Sequence, residues 1–225
     1  MARPFDMEES LQKLSDPHPA PEKFREALRG ISRRSREEVV RLWLTEGAPF
    51  AFRARPVIYE EMRGWLGACL NVCPKEITVV GSARIGFSLA RSQFGRSFSR
   101  ESDLDLSIVS EVLFGAIAET FSRWRQDYRE GRVHPRSERE RALWEQNLEF
   151  GERNLPSGFF DANKIPTFDP YPLVQRIQQT MWALTKKLEV TPDAPTPPRA
   201  STRVYRNWQD LIRRVSFNLY TVLSR

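Results

Sequence analysis

The chain has 225 residues, 40% of them apolar, with 6 Trp and 14 Phe, which excludes a disordered protein and leaves one ordinary domain or two small ones with a real core. Its net charge of +6 and pI near 9.6 favour encounter with anionic ligands. No apolar run is long enough to span a bilayer, and residues 1–6 are too polar for a secretion signal, so the expectation is a cytoplasmic protein with no membrane partner.

Pro17, Pro19 and Pro21 interrupt the amphipathic fragments at the start of the chain. Ser35, with Glu38 three residues on, reads as a capping box opening a helix over 35–44. Pro56 suits the first turn of a further helix, in which Tyr59, Met62, Trp65, Leu66, Cys69 and Leu70 make one apolar stripe. Cys69 and Cys73 are one helical turn apart at its end. The only histidines, His18 and His134, are remote in sequence, so the cysteines read as small buried apolar residues rather than half of a zinc site. The same scarcity of histidine argues against a Ser-His-Asp or Cys-His nucleophile.

Ile77, Val79 and Val80 are β-branched and run into Gly81-Ser82, a strand that breaks at a small-residue turn. The residues after it, 83–89, are expected to begin a helix whose first amides could face an anion. A basic stretch follows over 91–100, with Arg91, Arg96 and Arg100 placed to meet phosphate. Next comes Ser102-Asp103-Leu104-Asp105-Leu106-Ser107-Ile108-Val109, whose alternation sets Asp103, Asp105 and Ser107 on one face and Leu104, Leu106 and Ile108 on the other. Two carboxylates held so close repel each other. A divalent cation removes that penalty, and carboxylate oxygens suit Mg²⁺ completed by water and phosphate oxygens.

Beyond this strand, Val112, Leu113, Ile117, Phe121 and Trp124 recur at helical spacing, and a polar helix is expected over 137–153. Phe159-Phe160-Asp161 offers a further acid, read either as a third metal ligand or as a turn or capping residue. Pro170 and Pro172 precede a helix over 173–188. A proline-rich connector spans 192–198, a strand is expected around Arg203 and Tyr205, and an amphipathic helix carries Trp208, Leu211, Val215, Leu219 and Val222.

At Gly81, Ser82, Asp103 and Asp105 the chain resembles the DNA polymerase β-like nucleotidyltransferase superfamily, whose signature is an apolar strand, Gly-Ser, then Asp-x-Asp on the next strand. The resemblance covers 77–109. It implies an α+β fold with a small mixed sheet of the nucleotidyltransferase type flanked by helices. The elements in chain order set a helical N-terminal extension over 1–54, a core over 55–130, and a helical C-terminal part over 131–225 with one returning strand. The resemblance also implies a nucleoside triphosphate donor, Mg²⁺ or Mn²⁺ on Asp103 and Asp105, phosphates at Gly81 and Ser82, and release of pyrophosphate. The acceptor is left open: a small molecule, a protein or an RNA end.

Two departures accompany the match. The segment between Ser82 and Asp103 is long, and no later strand carries a clear third carboxylate. A nucleotide-binding module without turnover is therefore the alternative, and an RNA-binding protein using its basic surface ranks behind both. The enzyme reading requires two carboxylates that face the Gly81 turn across a shared cleft and are not consumed by arginines.

Overall fold

The structure, a computed structural model, describes residues 8–223. Residues 1–6, on which the absence of a secretion signal was read, lie outside it. The fold is α+β and rich in helix. In chain order come α1 (Glu9–Gln12), α2 (Pro21–Ala27), α3 (Arg33–Val39), α4 (Pro56–Leu70), β1 (Ile77–Val80), α5 (Ser82–Ile85), β2 (Leu104–Val109), α6 (Glu111–Arg129), α7 (Glu138–Asn154), β3 (Phe159–Asp161), α8 (Pro172–Val190), β4 (Ala200–Tyr205) and α9 (Trp208–Leu223).

Four strands form one mixed sheet in the order β1-β2-β4-β3. β1 and β2 are antiparallel, β2 and β4 parallel, β4 and β3 antiparallel. The returning strand thus lies inside the sheet, between strands from two different parts of the chain. Its register sets Val80, Asp105 and Ser201 in one row, and Ser107, Arg203 and Asp161 in the next.

Alternation along each strand divides the core into two layers. Ile77, Val79, Leu104, Leu106, Ile108, Phe160 and Val204 point to one face and are buried with Leu66, Ile117, Trp124, Ile177 and Leu184 from α4, α6 and α8. Much of this layer is aromatic: Phe121 meets Trp124 and Phe160 edge-on, and Trp124 meets Trp144 of α7 in the same way. Such pairs add about 0.5–1.5 kcal/mol each beyond their burial. On the opposite face, Val109, Phe159 and Tyr205 pack with Phe24, Val39, Val40, Leu211 and Leu219, so the N-terminal helices and α9 cover that end of the sheet. The end carrying Asp105 is left open.

The helices opened by Pro56 and Pro172 form as expected, the first closed by Asn71 in the left-handed conformation. α3 starts earlier than 35: Ser32 is its N-cap and accepts from the Ser35 amide, and the helix widens into a π-helical stretch, Val40–Thr45. That stretch bears on the sheet, because Thr78 donates its hydroxyl to the Thr45 carbonyl at 3.0 Å. The cysteines are not a buried pair. Cys69 is half-buried and Cys73 exposed at the cap of a short turn. Among the described residues no helix is long and apolar enough to cross a membrane.

Candidate functional site

Gly81 ends β1 with φ 68° and ψ −149°, a region that only glycine occupies without strain. A Cβ there would lie 3.4 Å from Asp105 Oδ2, so the turn and the carboxylate face each other directly. The helix expected over 83–89 is only the single turn α5, stopped by Gly86 at φ 99°. One turn carries little dipole, and its contribution is positional. Arg84, almost fully buried, donates to the Gly47 carbonyl at 2.8 Å and pins the turn to the N-terminal part of the chain. Burial, only partly offset by Tyr59 and Glu46, pulls the Arg84 guanidinium down to about 10, and it remains cationic at neutral pH.

Asp103 immediately precedes β2 and Asp105 lies within it, on the open face. Asp105 Oδ1 accepts from the Ser201 hydroxyl at 2.7 Å, across the β2–β4 ladder. Asp103 Oδ2 accepts from Arg199, whose own carbonyl takes the Leu104 amide at 2.9 Å. The other two oxygens, Asp103 Oδ1 and Asp105 Oδ2, accept no hydrogen bond from the described residues. One requirement is met and one is not: both carboxylates share the cleft with Gly81, but Asp103 has an arginine partner. The pair is exposed, with 75% of the Arg199 side chain accessible, and pairs of this kind are worth about 0–1 kcal/mol. Asp103 holds the Arg199 guanidinium above its ordinary range through that hydrogen bond.

The cleft is a cavity of about 640 Å³ whose walls include Gly81, Ser82, Asp103, Asp105 and Ser107. Arg91 and Arg96 reach its rim from the segment after α5, whereas Arg100 does not line it. That segment folds back on itself: Phe87 bridges Ser97, the Ser88 amide donates to the Arg96 carbonyl, and the Gly95 amide to that of Ser88. Phe87 and Phe94 anchor it, Phe87 edge-on to Phe24 of α2 and Arg25 stacked over Phe94. The N-terminal helices therefore buttress the two arginines. At the far end of the cavity α9 supplies Val215, Asn218 and Leu219, beside Tyr205.

The position next to Ser107, where a third acid would be sought, is Arg203. It is held bidentately by Asp161, Nε to Oδ1 at 2.5 Å and Nη2 to Oδ2 at 2.9 Å. Burial works against the Arg203 charge, but hydrogen bonding and attraction from Asp161 outweigh it and raise its pKa. Asp161 is thereby spent on a structural pair and does not line the cleft. Glu101 lines it, yet among the described residues no group of three or more His, Cys, Asp and Glu side chains comes together as a metal cage. The donor set that does exist, two hard carboxylates with one oxygen each unengaged, matches a Mg²⁺ or Mn²⁺ ion whose remaining ligands are water and phosphate.

No family model matches this chain, and no curated protein or solved structure is significantly similar to it. From sequence, Arg203 stood on a late strand where a third acid was sought, and the register sets it beside Ser107. The others that surround the motif, Ser201, Arg199 and Asn218, were not found from sequence. They come from β4, the connector before it and α9, and nothing in their local pattern ties them to a motif about 100 residues away.

Proposed function

We propose that the chain is a metal-dependent nucleotidyltransferase of the DNA polymerase β-like type. The observation that carries this reading is the placement of Asp103 and Asp105 opposite the Gly81-Ser82 turn across one cavity, with Arg91 and Arg96 on its rim. In the proposed reaction the acceptor hydroxyl oxygen bonds to the α-phosphorus of a nucleoside triphosphate. The bond from that phosphorus to the bridging oxygen breaks, pyrophosphate leaves, and the hydroxyl proton passes to a carboxylate oxygen or water. Asp103 and Asp105 would hold Mg²⁺ or Mn²⁺, which supplies Lewis-acid neutralisation of phosphate charge. Ser82 and the open backbone at Gly81 take the β- and γ-phosphates, Arg91 and Arg96 balance their charge, and the α9 end of the cavity receives the nucleoside.

The test is turnover of α-labelled nucleoside triphosphates by purified protein with Mg²⁺ or Mn²⁺ over a panel of hydroxyl acceptors. Pyrophosphate release is expected, with loss of at least about 100-fold in Asp103→Ala and in Asp105→Ala, the scale of removing a group that stabilises transition-state charge. A second reading, a nucleotide-binding module without turnover, is favoured by the Arg199–Asp103 pair and by the diversion of Asp161 to Arg203. Nucleotide binding with no turnover on any acceptor would select it.

A further inference from the structure

Asp103 and Asp105 stand at the junction of two cavities and, among the described residues, are the only ones that line both. The first holds the Gly81 turn and the rim arginines. The second, about 440 Å³, opens on the other side of the carboxylates over Ser201 and the α8 residues Gln178, Met181, Trp182 and Thr185, one face of that helix at i, i+3, i+4 and i+7. Gln178 and Trp182 also line a shallower hollow of about 600 Å³ with Thr167, Asp169 and Gln179, so a groove continues past the indole. Trp182 is 67% exposed, a large aromatic surface with no ring partner among the described residues.

The two sides differ in charge. Arg91 and Arg96 line the first cavity with no acid paired to either among the described residues, alongside Glu101 and the Asp161-paired Arg203. Along the groove the lining cation is Arg199, already neutralised by Asp103, and the acid beyond it is Asp169. A chain of phosphates needs cations that track it. Here amides take their place: Gln178, Gln179 and Asn163 make no side-chain hydrogen bond among the described residues, and each can both donate and accept. An exposed indole flanked by unengaged amides suits a ring that presents C–H groups on its face and hydroxyls around its edge.

Resting on the nucleotidyltransferase reading, we infer that the groove over Trp182 is the acceptor subsite and that its occupant is an uncharged carbohydrate, one of whose hydroxyls reaches the carboxylate pair. Sugar rings lie on the Trp182 face, Gln178 and Asn163 bind hydroxyls, and the groove beyond admits a second ring. The acceptor hydroxyl oxygen bonds to the α-phosphorus, pyrophosphate leaves, and the product is a sugar nucleotidyl ester.

Saturation-transfer NMR and pyrophosphate release decide this with the intact protein and three probes: maltose, a tetraribonucleotide with a free 3′ end, and the tripeptide Gly-Ser-Gly. Maltose is expected to receive saturation from the protein and to support at least 10-fold more pyrophosphate release than either other probe. Trp182→Ala, an exposed position, is expected to weaken maltose binding at least 10-fold with nucleotide affinity unchanged, and Gln178→Ala to weaken it less. Preference for the oligonucleotide or peptide, or maltose binding indifferent to Trp182→Ala, overturns the inference. Maltose bound at Trp182 without transfer, in protein that never turns nucleotide over, refutes the proposed reaction while the carbohydrate groove stands; nucleotide turnover without maltose binding does the reverse.

Discussion

At the scale of single residues, the carboxylate pair is poised rather than vacant. On the proposed reading Asp103 would exchange one partner for another on taking a cation, and the partner given up would be an exposed arginine whose pair contributes at most about 1 kcal/mol. Arg199→Ala should therefore lower the Mg²⁺ concentration for half-maximal nucleotide binding by up to about fivefold, the equivalent of 1 kcal/mol. A magnesium titration of the wild type and the variant checks this. A raised nucleotide requirement instead would mean that Arg199 contacts phosphate. Gly81 illustrates the complementary point that space alone does not decide a substitution. A Cβ there meets Asp105 Oδ2 at an ordinary 3.4 Å, so the strain of an alanine would come from its backbone angles and not from crowding.

At the scale of elements, α7 is docked through a missing side chain. A Cβ on Gly151 would come within 2.2 Å of the Phe121 ring, which is fixed edge-on between Trp124 and Phe160 and cannot swing away. Alanine is the better helix former by about 1 kcal/mol, but overpacking a closed aromatic core costs about 1–3 kcal/mol and more where backbone must shift. Gly151→Ala is expected to lower the thermal midpoint despite its helix propensity, as a calorimetric scan of both proteins would show. The longer elements were readable from sequence because their periods are local: the stripe after Pro56 and the alternation around Asp103 both survive in the structure. β3 was not. Three residues are too few to establish a period, and Phe159–Asp161 is a strand because its partner β4 is there. The fate of Asp161 was hidden for the same reason, since Arg203 lies 42 residues on and only the β3–β4 register brings them together.

At the scale of the whole molecule, one buried cluster couples stability to acid. The Asp127 carboxylate, near the end of α6, accepts from Arg132 at 2.6 Å and from the Tyr171 hydroxyl, just before α8, at 2.8 Å. Those hydrogen bonds, Arg132 first, hold its pKa below the ordinary aspartate value, while burial and the same carboxylate push Tyr171 up. A depressed acid stabilises the fold fully above its unfolded value near 3.9 and loses that contribution as pH falls through its lower folded value. Asp127→Asn should cost about 1–3 kcal/mol at pH 7, and the gap between wild type and variant should narrow toward pH 2. Urea unfolding at pH 7, 4 and 2 measures it, and a gap independent of pH would assign the loss to packing. The motif itself was legible at this scale, but its setting was not: the N-terminal helices that brace Arg91 and Arg96 act through Phe24, Phe87 and Phe94, contacts for which local sequence holds no signal.

The interior position of β4 bears on how the protein is made. Asp105 and Ser201 are neighbours in space and 96 residues apart in the chain. While a ribosome is still emitting that stretch, β2 has an unpaired edge and β3 has no strand to join, so a nascent chain halted before residue 200 carries an open, apolar sheet margin of the kind that pairs with other chains. The cleft is therefore completed only once the chain has been made past residue 200, and until then the carboxylate strand keeps an edge open to its neighbours.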